Sequence, residues 1–293
     1  MFIVAIEGGL GNQMFQYAFY LALQKHYEQV EMKVDLSLIN PKIHNGYELQ
    51  RLFHINPDTC SKKETLLYSD YCPYSITGSV LFNLLFGVRR KLLGRKESFI
   101  LQRDATEYIA KCFELDANRN YYFKGVWINT DYFKGIETDI KSSFVFPEIH
   151  DEVNMKWKEM IENTNSVSIH FRGGDYYKNG FSVLTNNYYT RAISLILDKV
   201  ENPVFFVFTD DIVNAKQSIP DMDCCYYIDN NNGFCSYVDM QLMSMCHHNI
   251  IANSTFSFWG AYLNNNSDKI VIAPTTTVGS CELPYQSEGW FLL

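Results

Sequence analysis

The sequence predicts an α/β protein of two Rossmann-like units facing a cleft, and three observations carry that prediction. The chain begins with a short apolar, β-branched run, a glycine turn and a helical pattern. From about residue 151 strand and helix patterns alternate strictly, which describes a doubly wound parallel sheet. Finally, 293 residues with 47% hydrophobic content can bury one large core or two ordinary ones, and two are expected here. The expected units are 1–150 and 151–293, with a seam near Pro147 to Glu152.

In order along the chain, "FIVAI" reads as a buried strand, Gln16 to His26 as a helix, and "VEMKVDL" as a second strand, together a βαβ start. From about Asn40 to Asn120 only patches such as Leu81 to Leu93 have helical spacing, among loops rich in Tyr, Asn and Pro. The second series predicts a helix over Glu152 to Glu162, strand "VSIHF", helix Tyr188 to Lys199, strand "VFFVFTD" and helix Asp211 to Gln217. Strand "CCYYID", helix Ser236 to Cys246, strand "NIIAN", helix Ser257 to Leu263 and strand "KIVIAP" complete it.

A formal charge of -8 supplies no basic field for a phosphate backbone, so a nucleic-acid partner is not expected. Eight cysteines without a CxxC pair (Cys60, Cys72, Cys112, Cys224, Cys225, Cys235, Cys246, Cys281) suggest reduced thiols and a cytoplasmic setting. The opening "MFIVAIEGG" fits neither a signal peptide nor an anchor. The longest apolar run, Val80 to Val88, is far short of the roughly 20 residues that span a bilayer. With "RRKLLGRK" after it, the segment Arg89–Lys96 closes a basic amphipathic stretch. It reads first as a solvated helix face and second as a peripheral contact with a membrane surface.

Chemistry concentrates in four stretches. "EGGLGNQMFQYA" nearly satisfies GxGxxG through Gly9 and Gly11, but Met14 replaces the third glycine. Asp35 stands where a ribose-binding acid would, so a dinucleotide site stays open beside a plain glycine turn. Neither explains Asn12 and Gln13 at a helix start, where the dipole favours an anion. In "VSIHFRGGDYY" a strand ends in His170, Arg172 and Asp175 around two glycines, at the sheet edge where α/β ligands bind. An arginine fork there suits a diphosphate. "VFFVFTDD" brings Thr209, Asp210 and Asp211 to a neighbouring strand end, with hydrogen-bonding and helix-capping roles favoured over a metal. "NIIANSTFSFW" places Asn253, Ser254, Thr255, Phe256 and Ser257 at a helix N-terminus, a ready anion site, with Phe258 and Trp259 read as core.

Together "GGLGNQMFQYA", "HFRGGDY", "FTDD" and "NSTFSFWGAYL" resemble the bacterial α-1,2-fucosyltransferases of glycosyltransferase family 11. The resemblance implies a GT-B architecture, GDP-β-L-fucose as donor, a galactose-containing glycan as acceptor, and neither metal nor cofactor. It implies that His170 and Arg172 match an HxRRxD-type motif, on guanine and the β-phosphate respectively, with Asp175 as its final acid. Gly173 stands where the motif has a second arginine. It further implies that Asp239 helps to read guanine, that Ser254 to Ser257 hold the diphosphate, and that Gly9, Gly11, Asn12 and Gln13 approach the donor. The implied reaction is an inverting displacement by O2 of a terminal β-galactoside, with Asp175 and Glu7 as candidate bases and Asp131 a third. His44 and Trp127 are expected on the acceptor side. Two other readings stay open: an NAD(P)-dependent oxidoreductase on the first glycine turn, and a non-catalytic glycan-binding module using the 20 Tyr and 21 Phe.

Overall fold

A computed structural model describes residues 1–40, 44–73, 78–174, 184–275, 287 and 289–293. The chain divides into Met1–Val145 and Phe146–Leu293, so the seam lies just before the predicted stretch.

In the first unit β1 (Phe2–Ala5), α1 (Leu10–His26) and β2 (Met32–Asp35) form the βαβ start that the sequence predicts. β1 is buried along its whole length, as befits a parallel strand covered on both faces. α2 (Glu48–Phe53), α3 (Lys62–Tyr68) and α4 (Ser79–Leu93) come next, then β3 (Phe99–Leu101), β4 (Tyr121–Lys124) and α5 (Glu137–Ser143). α3 starts on a capping box in which Ser61 accepts from the Glu64 amide and Glu64 accepts from the Ser61 amide. The sheet order is β2-β1-β4-β3, all parallel. β3 and β4 are not marked in the sequence reading; they lie among long connections in which only helical patches stand out. Trp127, expected on the acceptor side, is fully buried and stacks on Phe19 at 4.0 Å with the rings 10° apart. It is a core residue.

In the second unit α6 (Glu152–Glu162) occupies the predicted residues, and Asp151 caps it by accepting from the Asn154 amide. Then follow β5 (Asn165–Phe171), α7 (Asn186–Lys199), β6 (Pro203–Thr209), α8 (Ile212–Ser218) and β7 (Cys225–Ile228). α9 (Tyr237–Met245), β8 (His248–Ile250), α10 (Thr255–Tyr262), β9 (Val271–Ala273) and β10 (Phe291–Leu292) close the unit. All pairings are parallel and the order is β10-β9-β8-β5-β6-β7. The winding runs from β5 outward through β6 and β7, then reverses to β8 on the other flank of β5. The gap beyond the carboxyl ends of β5 and β8 is therefore the topological switch point, where open α/β sheets bind ligands. A core of Val167, Ile169, Phe171, Ile193, Phe205 and Val207 fixes these strands to α7. Phe258 and Trp259 are buried, as predicted.

Candidate functional site

β5 and β8 lie side by side with Ile169 opposite Ile250, so the residues that follow each strand meet at the switch point. Strand alternation sends Phe171 toward Tyr189 on α7 and leaves His170 beside Phe256 at the start of α10, ring centroids 5.8 Å apart. His170 is 4% exposed, and its backbone carbonyl accepts from the Tyr189 hydroxyl at 3.1 Å. Its Nδ1 is buried without a hydrogen-bond partner among the described residues. Burial and the neighbouring Arg172 charge, against the pull of Asp210, drop the imidazole to about 3, so it is neutral at ordinary pH.

Arg172 leaves β5 toward Asp210, which follows β6, with Nη1 3.1 Å from Oδ2. The other Asp210 oxygen accepts from the amides of Gly173 and Gly174 at 3.1 and 3.2 Å. Burial alone would raise this carboxyl. Arg172 and the two amides outweigh it and hold the group below the usual range. Both glycines are closely packed: a Cβ on Gly173 would sit 2.8 Å from the Phe171 ring and 3.1 Å from Asp211, and one on Gly174 would sit 3.2 Å from Asp210. Thr209 accepts from the Asp211 amide at 2.9 Å, and Asp211 caps α8 by accepting from the Asn214 amide and side chain. Both build the turn that presents Asp210.

Across the gap Ser254 caps α10, accepting from the Phe256 amide at 3.3 Å, and the first turn of that helix carries no acid. Ser257 is fully buried; its hydroxyl accepts from the Ala252 amide and lies 3.3 Å from the Ala252 and Ser254 carbonyls. It ties the strand end to the helix and does not face a ligand, a correction to its expected role. Asn253 is buried, whereas Thr255 and Phe256 are partly exposed. Asp239 in the first turn of α9 accepts from the Asn231 side chain at 2.7 Å. Burial pushes its carboxyl up to about 7, opposed by that hydrogen bond and reinforced by Asp229 and Asp210. Asn231 and Tyr189 had no motif to mark them.

The first unit departs further from expectation. Gly8, not Gly9 or Gly11, takes the left-handed turn, at φ 82°, and a Cβ there would meet Asn12 at 2.7 Å. Gly9 is the uncapped residue before α1, beneath the His44 ring, and Gly11 is buried within the helix. Asn12 is partly exposed. Gln13 is fully buried, donates to the carbonyls of Gly8 and Gly46 at 2.9 Å each, and accepts from the Glu48 amide at 2.9 Å. It cannot reach a donor, so that assignment is corrected: Gln13 braces the loop before α2 against the glycine turn. Glu7 and Lys124, at the carboxyl ends of β1 and β4, form a two-oxygen ion pair at 2.9 and 2.8 Å. Asp131 is a surface residue paired with Lys134. Asp35 is buried and accepts from the Ser37 amide, Thr65 and Tyr122, which leaves it nothing for a ribose. Asp175 and Cys281 lie outside the described residues. Seven cysteines are free thiols among the described residues. Within those residues no three His, Cys, Asp or Glu side chains gather as a metal site, and no helix is long and apolar enough to cross a membrane.

Comparison with known proteins places the chain in a family. An Escherichia coli α-1,2-colitosyltransferase is 34% identical over 290 residues, 93% of this chain and 91% of the relative. The O-antigen biosynthesis glycosyltransferase WbnK of Escherichia coli is 32% identical over 286 residues, 92% of each chain. The mouse galactoside 2-α-L-fucosyltransferase Sec1 is 22% identical over 295 residues, 96% of this chain and 68% of the relative. The profile of Glycosyl transferase family 11 matches residues 99–288, from β3 through the whole switch-point site. The chain, built of two α/β units that each hold a parallel sheet, belongs to glycosyltransferase family 11.

Proposed function

We propose that the protein is an inverting, metal-independent α-1,2-fucosyltransferase that moves L-fucose from GDP-β-L-fucose to O2 of a terminal β-galactoside. The observation that carries this reading is that β5 and β8 end side by side, which brings the strand end before Arg172 and the acid-free N-terminus of α10 to one sheet edge, with His170 5.8 Å from Phe256. A diphosphate leaving group needs preorganised positive charge and N–H donors, and this arrangement supplies both. Neutral His170, buried against Phe256, offers an uncharged edge for a base. Asp239 with Asn231 offers a carboxyl group for the guanine.

In the reaction the acceptor hydroxyl attacks the anomeric carbon from the face opposite the phosphate. The C1–O bond to the β-phosphate breaks, its electron pair leaves with GDP, and the hydroxyl proton passes to a carboxylate. Arg172 exchanges its Asp210 partner for the developing phosphate charge, while the glycine amides keep Asp210 in place. Asp175 is the first candidate for the base. Glu7 is the second and must loosen its Lys124 pair to act. The role of Asp131 is withdrawn because it is paired on the surface. The oxidoreductase reading loses its ribose acid with Asp35.

One alternative donor has a specific observation behind it, since a relative at 34% identity is named a colitosyltransferase. Incubation with GDP-fucose or GDP-colitose, a panel of β-galactosides and EDTA separates the cases by GDP release. Fucose transfer in EDTA is expected. Release only from GDP-colitose would move the donor assignment, and no release without a divalent ion would overturn metal independence.

A further inference from the structure

α4 is built inside out. Its polar side chains hold it to the first unit: Asn83 exchanges two hydrogen bonds with the Cys72 backbone at 2.7 and 2.8 Å. Arg90 donates to the Asp70 carbonyl, and Arg89 to the Asp70 carboxylate and the Gly94 carbonyl. Just past the helix, Lys96 donates to the carbonyls of Leu66, Leu67 and Ser69 and sits 4.8 Å from the Phe86 ring centroid. The opposite face is apolar and open. Leu81, Leu84, Leu85, Val88 and Leu92, at one-stripe helical spacing, are between 49% and 77% exposed. Of the residues between Ser79 and Leu93 only Ser79 is buried. Stripes of this kind on a protein surface mark an interaction site.

Charge selects the occupant. Ser79 to Lys96 contains Arg89, Arg90, Lys91, Arg95 and Lys96 and no acid, in a chain whose net charge is -8. Lys91, in the last turn of α4, and Arg95, just past its Gly94 cap and 5.9 Å from the Phe99 ring centroid, are exposed. A two-fold contact between copies would double this like charge within one interface. An anionic lipid surface satisfies both the stripe and the cations, with leucines entering the acyl boundary and Lys91 and Arg95 at the headgroups. We propose that α4 is a membrane-surface helix that docks the protein flat on a leaflet containing anionic phospholipid.

The test is sedimentation of the full chain with vesicles of phosphatidylcholine alone or mixed equally with phosphatidylglycerol. The chain is expected to pellet with the mixed vesicles and to release as salt is added. Leu84→Glu/Leu85→Glu and, separately, Lys91→Glu/Arg95→Glu should each weaken binding by about tenfold or more, with thermal unfolding unchanged. A native chain that stays in the supernatant with mixed vesicles would overturn the proposal, as would both variants binding like the native chain. A native dimer in sedimentation velocity that Leu84→Glu/Leu85→Glu makes monomeric, without vesicle binding, would assign the face to a second copy instead.

Discussion

Arg172→Ala should separate catalysis from folding. The guanidinium pairs with Asp210 at 3.1 Å, and the two side chains are 30% and 29% exposed. An ion pair this wet contributes at most about 1 kcal/mol. After truncation Asp210 keeps the Gly173 and Gly174 amides, so its charge is not stranded. The expected loss is then no more than roughly 2–4 °C in Tm. The cost to turnover is much larger, because removing a preorganised donor at a developing negative charge lowers kcat by roughly 10²–10³. Arg172→Lys keeps the charge without the planar fork and should fall between the two. Steady-state kinetics with GDP-fucose, paired with calorimetry on the same samples, reads both quantities. An alanine variant with unchanged kcat, or one that loses activity only because it unfolds, would refute the role given to Arg172.

Further outcomes follow from the same contacts. Gly173→Arg, which restores the motif's second arginine, should destabilise the protein, since the new Cβ would lie 2.8 Å from Phe171; a Tm equal to the native one would contradict this. Gln13→Ala deletes one buried and two part-buried hydrogen bonds and should cost about 2–4 kcal/mol in denaturant unfolding with the donor KM unchanged. A raised donor KM with full stability would return Gln13 to the site. Asp239 is raised to about 7 from an ordinary 3.8, so its protonated form favours the fold. That stability is complete below about pH 4, declines as pH rises and is gone above about 7. Asp239→Asn should therefore gain Tm relative to the native chain between pH 5 and 8, measured by calorimetry across that range; a constant difference would reject the assignment.

In the second unit the longest strands and the amphipathic helices were the most legible elements. β5 and β6 each run seven residues and end in polar motifs, and the position of α6 follows from its spacing and its Asp151 cap. The sheet of the first unit was half hidden, since β3 and β4 are set among long connections, whereas β1 and β2 flank the glycine turn and its helix. At the site, residue type found Arg172 and Asp210 but could not tell a ligand from a brace. Gln13 and Ser257 look like the amide and hydroxyl a diphosphate wants, yet each is consumed by neighbouring backbone. The pairing of Glu7 with Lys124 joins residues 117 positions apart, and no local pattern announces it. Trp127 was misread because an aromatic near a polar loop suits a sugar as well as it suits Phe19. The inverted face of α4 was half seen, as its apolar and basic residues are plain in sequence while their outward direction is not.

The most direct test of the central claim is the structure of the product formed from GDP-β-L-fucose and a terminal β-galactoside in EDTA, determined by NMR. An α-anomeric fucose on O2 of the galactose is predicted. A β-linked fucose, or attachment at any other hydroxyl, would contradict the account.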